Sequence, residues 1–448
     1  MNEIILQTLR DFSLDDYRPI YRRDLDLGAP LQPRAGNLVK VVAGMRRCGK
    51  SYRLLQEMGA LLRSGVSPDR MCYFNFEDER LSPVTPRTGD EVMETFYYLH
   101  PDALEQGAYF FFDEMQEMAG WGAWLRRIVD TRKATLYVSG SSSKMLSSEI
   151  ATEFRGRALD FELLPYSFRE ICRIEGLLDD DSERGVFTSA QHARFERLFS
   201  SYLERGGFPA AQGVSSPQAI MLLQSYVQRV VLRDVVERHD LKRPRVATLF
   251  AQRALSSNGR QFSVRKTEGD FRSAGVTTSR ELLSDLLEYF EEAYLLFLMK
   301  ERAFSLAESS TTSPKVYAID PGLALANARA NTNDAGQRLE NAVYLELRRR
   351  TIGLRREGIA SLRTKEHGYE VDFVVGDVLD GDASCLWQVA TRVDDPKTLD
   401  RELRALWEAM GEQGLEQATL IVGQGEKTTY KREGRRVEQV PAWQWFLQ

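Results

Sequence analysis

Leu38-Val39-Lys40-Val41-Val42-Ala43 runs directly into Gly44-Met45-Arg46-Arg47-Cys48-Gly49-Lys50-Ser51. The first six residues form a short apolar run that suits a buried parallel strand. The next eight satisfy GxxxxGK[ST], and a helical pattern follows from Ser51 to about Arg63. In this order, strand then loop then helix, the residue types have a physical reason. Glycines let the backbone turn so that successive N–H groups face phosphate oxygens, and the helix N-terminus adds partial positive charge. The whole loop, Gly44, Arg46, Arg47, Cys48, Gly49, Lys50 and Ser51, is therefore the candidate nucleotide cradle. Lys50 would reach the β- and γ-phosphates of ATP, and Ser51 would ligate Mg²⁺.

Further along, Tyr109-Phe110-Phe111-Phe112-Asp113-Glu114 is an apolar strand ending in two carboxylates. Alone this is a weak signal; paired with a phosphate loop it becomes a strong one. Asp113 would hold Mg²⁺ directly or through water, and Glu114 would polarise the attacking water. Leu136-Tyr137-Val138-Ser139-Gly140-Ser141-Ser142-Ser143 ends another strand in hydroxyls. Ser141 is the candidate sensor of the γ-phosphate, with helix capping by the same serines as the competing reading. Arg155-Gly156-Arg157 offers an arginine to a neighbouring subunit's nucleotide, against the background that most arginines are solvated surface.

Strands are expected at Leu38–Ala43, Met71–Phe76, Gly107–Phe112 and Ala134–Val138. Helical patterns separate them, the mark of an α/β domain with a parallel sheet. A helix is expected at Glu3–Leu14, and from Leu163 the pattern turns mostly helical through Lys242. The Ser- and Thr-rich stretch Leu306–Pro314 reads as a linker. At 448 residues several domains are expected. No apolar run of about 18 residues suggests a membrane span, and the start of the chain lacks signal-peptide character. Four scattered cysteines without a CxxC pair fit a reducing, cytoplasmic setting and argue against structural zinc. A net charge of −5 excludes polyanion binding by bulk electrostatics, so any nucleic-acid contact must be local.

These motifs, with several more, resemble bacterial and archaeal AAA+ ATP-binding proteins that carry a domain of unknown function after the ATPase core. The further marks include Phe74-Asn75-Phe76-Glu77-Asp78, Leu164-Pro165-Tyr166-Ser167-Phe168-Arg169-Glu170 and Tyr202-Leu203-Glu204-Arg205-Gly206-Gly207-Phe208-Pro209. Leu232-Arg233-Asp234, Lys315-Val316-Tyr317-Ala318-Ile319-Asp320, Glu370-Val371-Asp372-Phe373 and Gln388-Val389-Ala390 continue the series. The likeness spans nearly the whole chain and strengthens the reading of Arg157 as catalytic or sensing.

In the middle, Val246–Leu255, a short element from Phe262 and a helix at Arg280–Glu292 precede strands at Ala293–Met299 and Lys315–Ile319. This order suits a winged helix-turn-helix, with Arg265, Lys266, Arg272 and Arg280 as candidate nucleic-acid contacts. A helical lid or subunit-packing module is the alternative, since Glu268, Asp270, Glu281 and Asp285 dilute the charge. In the tail, Glu340 on a helix, Asp372 in a strand and Gln388 mid-strand resemble a PD-(D/E)XK nuclease core. The lysine position is Ala390, which carries no charge, so an inactive or DNA-binding remnant is expected; Arg392, on the same strand face, is the conceivable substitute.

The expected fold is α/β. A P-loop AAA+ domain with a parallel sheet comes first, then a helical and winged-helix middle, and a C-terminal restriction-endonuclease-like α/β domain. The expected boundaries are an N-terminal extension at 1–35, ATPase core at 36–162, helical lid at 163–243, winged-helix-like domain at 244–320 and nuclease-like domain at 321–448. The function expected is a cytoplasmic, Mg²⁺-dependent ATP hydrolase forming a homo-oligomer, with a hexameric ring as one form, and acting on DNA. A nucleotide-dependent switch with a protein partner and an ATP-gated nuclease are the alternatives. No membrane partner is expected.

Overall fold

In a computed structural model, residues 2–146, 156–179, 187–302, 313–328, 335–351, 358–376 and 383–448 are described. Arg155, and the Leu306–Pro314 linker except its last two residues, lie outside them. The chain divides into two compact units, Met1–Leu164 with Glu292–Tyr294, and Pro165–Glu291 with Leu295–Gln448. Residues 165–291 and 295–448 thus fall in one unit by packing.

The first unit is built on β1 (Val39–Ala43), β2 (Met71–Asn75), β3 (Ala108–Asp113), β4 (Ala134–Gly140) and β5 (Ala158–Glu162). They form one parallel sheet in the order β2-β3-β4-β1-β5. Phe110, Phe111, Phe112, Val41 and Val138 are fully buried, as residues of a strand covered on both faces must be. β5 is the strand the apolar pattern does not announce. It is an edge strand whose residues are only half-buried or exposed, so it carries no continuous hydrophobic run. The first helix also stops early, at Asp11, and a 3₁₀ turn at Leu14–Tyr17 follows.

Strand order decides where chemistry can occur. β4 lies between β1 and β3, so the loop leaving β1 and the carboxylates ending β3 sit at the same sheet edge with β4 between them. Ligands of such sheets bind beyond the carboxyl ends of the strands.

The second unit opens with helices at Phe168–Ile174, Ser189–Arg205 and Ser216–Arg229, the last running on as a π-helix over Val230–Glu237. Helices Pro244–Leu255, Val264–Ser273 and Arg280–Glu292 accompany a small sheet ordered β6 (Arg260–Gln261), β8 (Lys315–Ala318), β7 (Leu296–Met299). The carboxyl group of Asp320 explains the Gly206-Gly207 pair. It accepts the Gly207 N–H at 2.6 Å, and a Cβ on Gly206 would stand 1.9 Å from it.

A mixed six-stranded sheet ends the chain: β9 (Ile359–Arg363), β10 (Glu370–Gly376), β11 (Ala383–Ala390), β12 (Gln417–Val422), β13 (Thr428–Arg432) and β14 (Arg435–Pro441). Its order is β13-β14-β12-β11-β10-β9. The helix Pro396–Gln413 covers it with Ala405, Leu406, Ala409 and Met410, whose spacing makes one helix face, against Leu362, Val371, Val374 and Leu420.

Candidate functional site

The loop after β1 closes on itself for reasons legible residue by residue. A Cβ on Gly44 would lie 2.2 Å from the Leu163 carbonyl oxygen, so only glycine fits there. Gly49 has φ +104° and starts the helix Lys50–Arg63, presenting its first N–H groups to the loop's interior. Arg47 also has positive φ and is exposed, whereas Arg46 turns inward. The buried Arg23 braces the loop from the N-terminal extension, donating to the Cys48 carbonyl at 2.8 Å and the Leu164 carbonyl at 2.6 Å. Cys48 is buried, which pushes its thiol up and leaves it a packing group.

Lys50 meets the acids of β3 directly. Its side chain is 2% exposed, and its Nζ lies 3.2 Å from Glu114 Oε1 and 3.3 Å from the Met45 carbonyl. Glu114 is in the left-handed region at φ +54°, a conformation that turns its carboxylate toward the loop. It accepts from Gln116 Nε2 at 2.5 Å and lies 3.9 Å from Arg46. Arg46 in turn reaches Glu77 at 2.6 Å and Glu117 at 2.9 Å, tying the loop to the ends of β2 and β3.

The two adjacent carboxyls are pushed in opposite directions. Burial and then Glu114 raise Asp113, against the lowering by Ser139, Ser51 and Lys50. Burial also raises Glu114, but Lys50 and Arg46 outweigh it and hold this carboxyl below its ordinary range. Lys50 loses charge stability by burial and regains more from Glu114. An ionised Glu114 beside a charged Lys50, next to a more proton-retaining Asp113, gives neighbouring acids separate roles.

The β4 hydroxyl that contacts these acids is Ser139. Its Oγ hydrogen-bonds Asp113 Oδ1 and accepts the Glu114 N–H at 3.2 Å. Ser141, the expected sensor, is buried with its hydroxyl unpartnered among the described residues, while its N–H donates to Gln116 at 3.2 Å. Tyr73 donates to the other oxygen of Asp113 at 2.8 Å. Arg23, Tyr73, Gln116 and Ser139 were not found by motif reading. The one available signal was Ser139's polarity within an apolar strand. Ser139→Ala leaves a buried N–H and a buried carboxylate each short of a partner. An expected cost of about 1–3 kcal/mol follows, and a thermal melt measures it.

Two family profiles match the chain: an AAA domain over residues 36–172, and a domain of unknown function (DUF8612) over residues 196–334. The uncharacterized protein MJ1544 of Methanocaldococcus jannaschii is 30% identical over 417 residues, covering 92% of this chain and 88% of that one. The chain belongs to this AAA family. An uncharacterized protein of Haemophilus influenzae is 26% identical, covering 77% of this chain and 81% of its own. Among solved structures, the Aeropyrum pernix ORC1 protein in complex with DNA covers 72% of this chain and 91% of its own. It does so at 15% identity and TM-score 0.28, and nothing about ligands or assembly follows from so distant a match. Membership brings nucleotide binding as a general property, and the loop described above lies within the matched AAA domain.

Not every candidate of this family member gathers at the loop. Arg157 sits just before β5, opposite the start of β1, and its guanidinium pairs with Asp130. The five residues of β1 put it roughly 17 Å from the loop of its own sheet. In the middle segment, Arg265, Lys266 and Arg272 are exposed on the helix Val264–Ser273, and Arg272 is paired with Glu268 at 2.7 Å. Arg280 starts the next helix, whose exposed residues also include Glu281 and Glu288. No helix among the described residues is long and apolar enough to cross a membrane.

In the tail, Glu340, Asp372 and Gln388 lie on the expected helix and strands, Ala335–Arg350, β10 and β11. Gln388 is turned to structural use: its Oε1 accepts the Asp372 N–H at 3.2 Å and its Nε2 donates to Glu402 at 2.7 Å. Arg392 falls beyond the end of β11 and donates to Gln424 at 2.5 Å instead of facing the acids. The lysine at this cluster comes from elsewhere in the chain. Lys315 of β8 places its Nζ 3.0 Å from Glu340, 2.7 Å from Glu370 and 3.7 Å from Asp372.

Proposed function

We propose that this protein is an ATP hydrolase whose turnover drives a motor on DNA, working as a homo-oligomer. The observation that carries the reading is one contiguous set: Lys50 on Glu114, Asp113 held by Ser139 and Tyr73, and Arg46 clamped between Glu77 and Glu117. Lys50 and the helix N-terminus would bind the phosphates, and Glu114 would accept a proton from the attacking water.

The donor set fits magnesium. The Asp113 carboxylate and Ser51 hydroxyl are hard oxygen ligands that interact with one another at the loop. Magnesium held there would supply charge neutralisation for the phosphate oxygens.

The exposed Arg265, Lys266 and Arg280 support contact with DNA, and Arg157 supports a second subunit whose nucleotide it completes. ATP turnover is therefore expected to rise on adding DNA, measured as phosphate release against single-stranded, duplex and branched forms. Turnover indifferent to every form removes the motor reading.

The Lys50–Glu114 pair favours a second reading. A γ-phosphate reaching Lys50 competes with Glu114 for it, so Glu114 has two alternative partners. Such a two-state element suits a nucleotide-timed switch that recruits a protein partner. Assembly that follows nucleotide identity, with negligible steady-state turnover, distinguishes it from the motor.

A further inference from the structure

Strand periodicity builds the C-terminal carboxylate cluster. Lys315 and Tyr317 are two residues apart on β8 and share one face, as do Glu370 and Asp372 on β10. Between them, the helix Ala335–Arg350 contributes Glu340, anchored where Tyr344 stacks on Tyr317 with ring centroids 4.4 Å apart. The side chain of Lys315 is 9% exposed.

We propose that Lys315 is the built-in counter-cation of this cluster: its ammonium stands where a divalent ion would bridge Glu340 and Asp372, so the domain keeps its acids without cleaving phosphodiesters.

The use of each carboxylate oxygen supports this. An ammonium has three donors, and three carboxylates face this one at 3.0, 2.7 and 3.7 Å. Glu340 Oε1 also accepts from the Tyr317 hydroxyl at 2.6 Å. The second oxygen of Glu370 is paired with Arg363 at 3.2 Å, and Asp372 Oδ2 accepts the Val389 N–H at 2.9 Å. Gln388, the third position of the nuclease-like set, spends both amide atoms on Asp372 and Glu402. Charge follows the same pattern. Burial lowers Lys315, but Glu340, Asp372 and Glu370 more than restore it, so the ammonium stays charged. A lysine placed by a different strand is thus a replacement for the metal, and it does not fill the function lost at Ala390.

The test uses the full chain without nucleotide, with Mn²⁺ alone as the probe and uptake read from loss of the free-ion paramagnetic signal. Wild type is expected to take up no Mn²⁺ that Asp372→Asn abolishes, and to nick plasmid no faster than that variant. Lys315→Met should melt lower and gain a Mn²⁺ site that wild type lacks, which restores its melting temperature and disappears in Lys315→Met/Asp372→Asn. Asp372-dependent Mn²⁺ binding or nicking by wild type overturns the proposal, as does a folded Lys315→Met that gains no site. Should Lys315→Met not fold, amine acetylation of wild type decides: Lys315 should stay unreactive with and without millimolar Mn²⁺, and labelling that rises with Mn²⁺ overturns the proposal. Phosphate release at the Lys50 loop is unaffected by Lys315→Met under this reading. Its loss in Lys50→Ala bears on the hydrolase alone.

Discussion

Lys50→Ala is expected to abolish ATP hydrolysis and to weaken ATP binding by roughly a hundredfold or more, since charge-assisted contacts to two phosphates are lost. The fold should survive the change. Lys50 is buried against Glu114, and deleting one partner of a buried pair ordinarily leaves an uncompensated charge. Here Glu114 keeps Arg46 at 3.9 Å and the amide of Gln116 at 2.5 Å, and Arg46 itself stays tied to Glu77 and Glu117. The measurement is a pair: ATP affinity by calorimetry and melting temperature by circular dichroism. Retained turnover in a folded Lys50→Ala protein would falsify the site assignment.

Glu114→Gln separates binding from chemistry. Glutamine keeps the shape and hydrogen-bonding reach of the side chain but cannot take a proton, and general bases contribute typically 10²–10⁴-fold, so turnover is expected to fall by about that factor. ATP affinity should hold or rise. The carboxylate bound to Lys50 competes with an incoming phosphate, and a neutral amide competes less well. A drop in affinity that matches the drop in turnover contradicts this assignment and makes Glu114 a structural partner of Lys50. Single-turnover phosphate release alongside equilibrium binding distinguishes the two.

The sensor hydroxyl shows where motif reading stops. Ser139 and Ser141 both end the same run, and the residues alone point to Ser141. β4 lies between β1 and β3, which sets Ser139 beside Asp113 and leaves Ser141 past the strand's end. Arg23 had no signal at all, because its partners are carbonyl groups of Cys48 and Leu164 far along the chain.

What the sequence by itself determined is the nucleotide loop, its strand–loop–helix setting and the acids ending β3. Those are local arrangements: a turn that only glycine permits, a helix that begins at its end, an apolar strand that stops at two charges. Strands β1 to β4, the helix Ala335–Arg350 and strands β10 and β11 were legible for the same reason, through uninterrupted apolar or periodic patterns. Tertiary structure alone decided which side chains from distant segments meet. β5 carries no apolar run because its residues are only half-buried or exposed. Lys315 reaches Glu340, Glu370 and Asp372 only because the strand from Lys315 to Ala318 packs under the helix bearing Glu340. Ala390 leaves its own strand without a cation, and the lysine that meets these acids comes from 75 residues earlier in the chain. Pattern in sequence records what neighbours along the chain require, and a charge balanced across three elements leaves no such pattern.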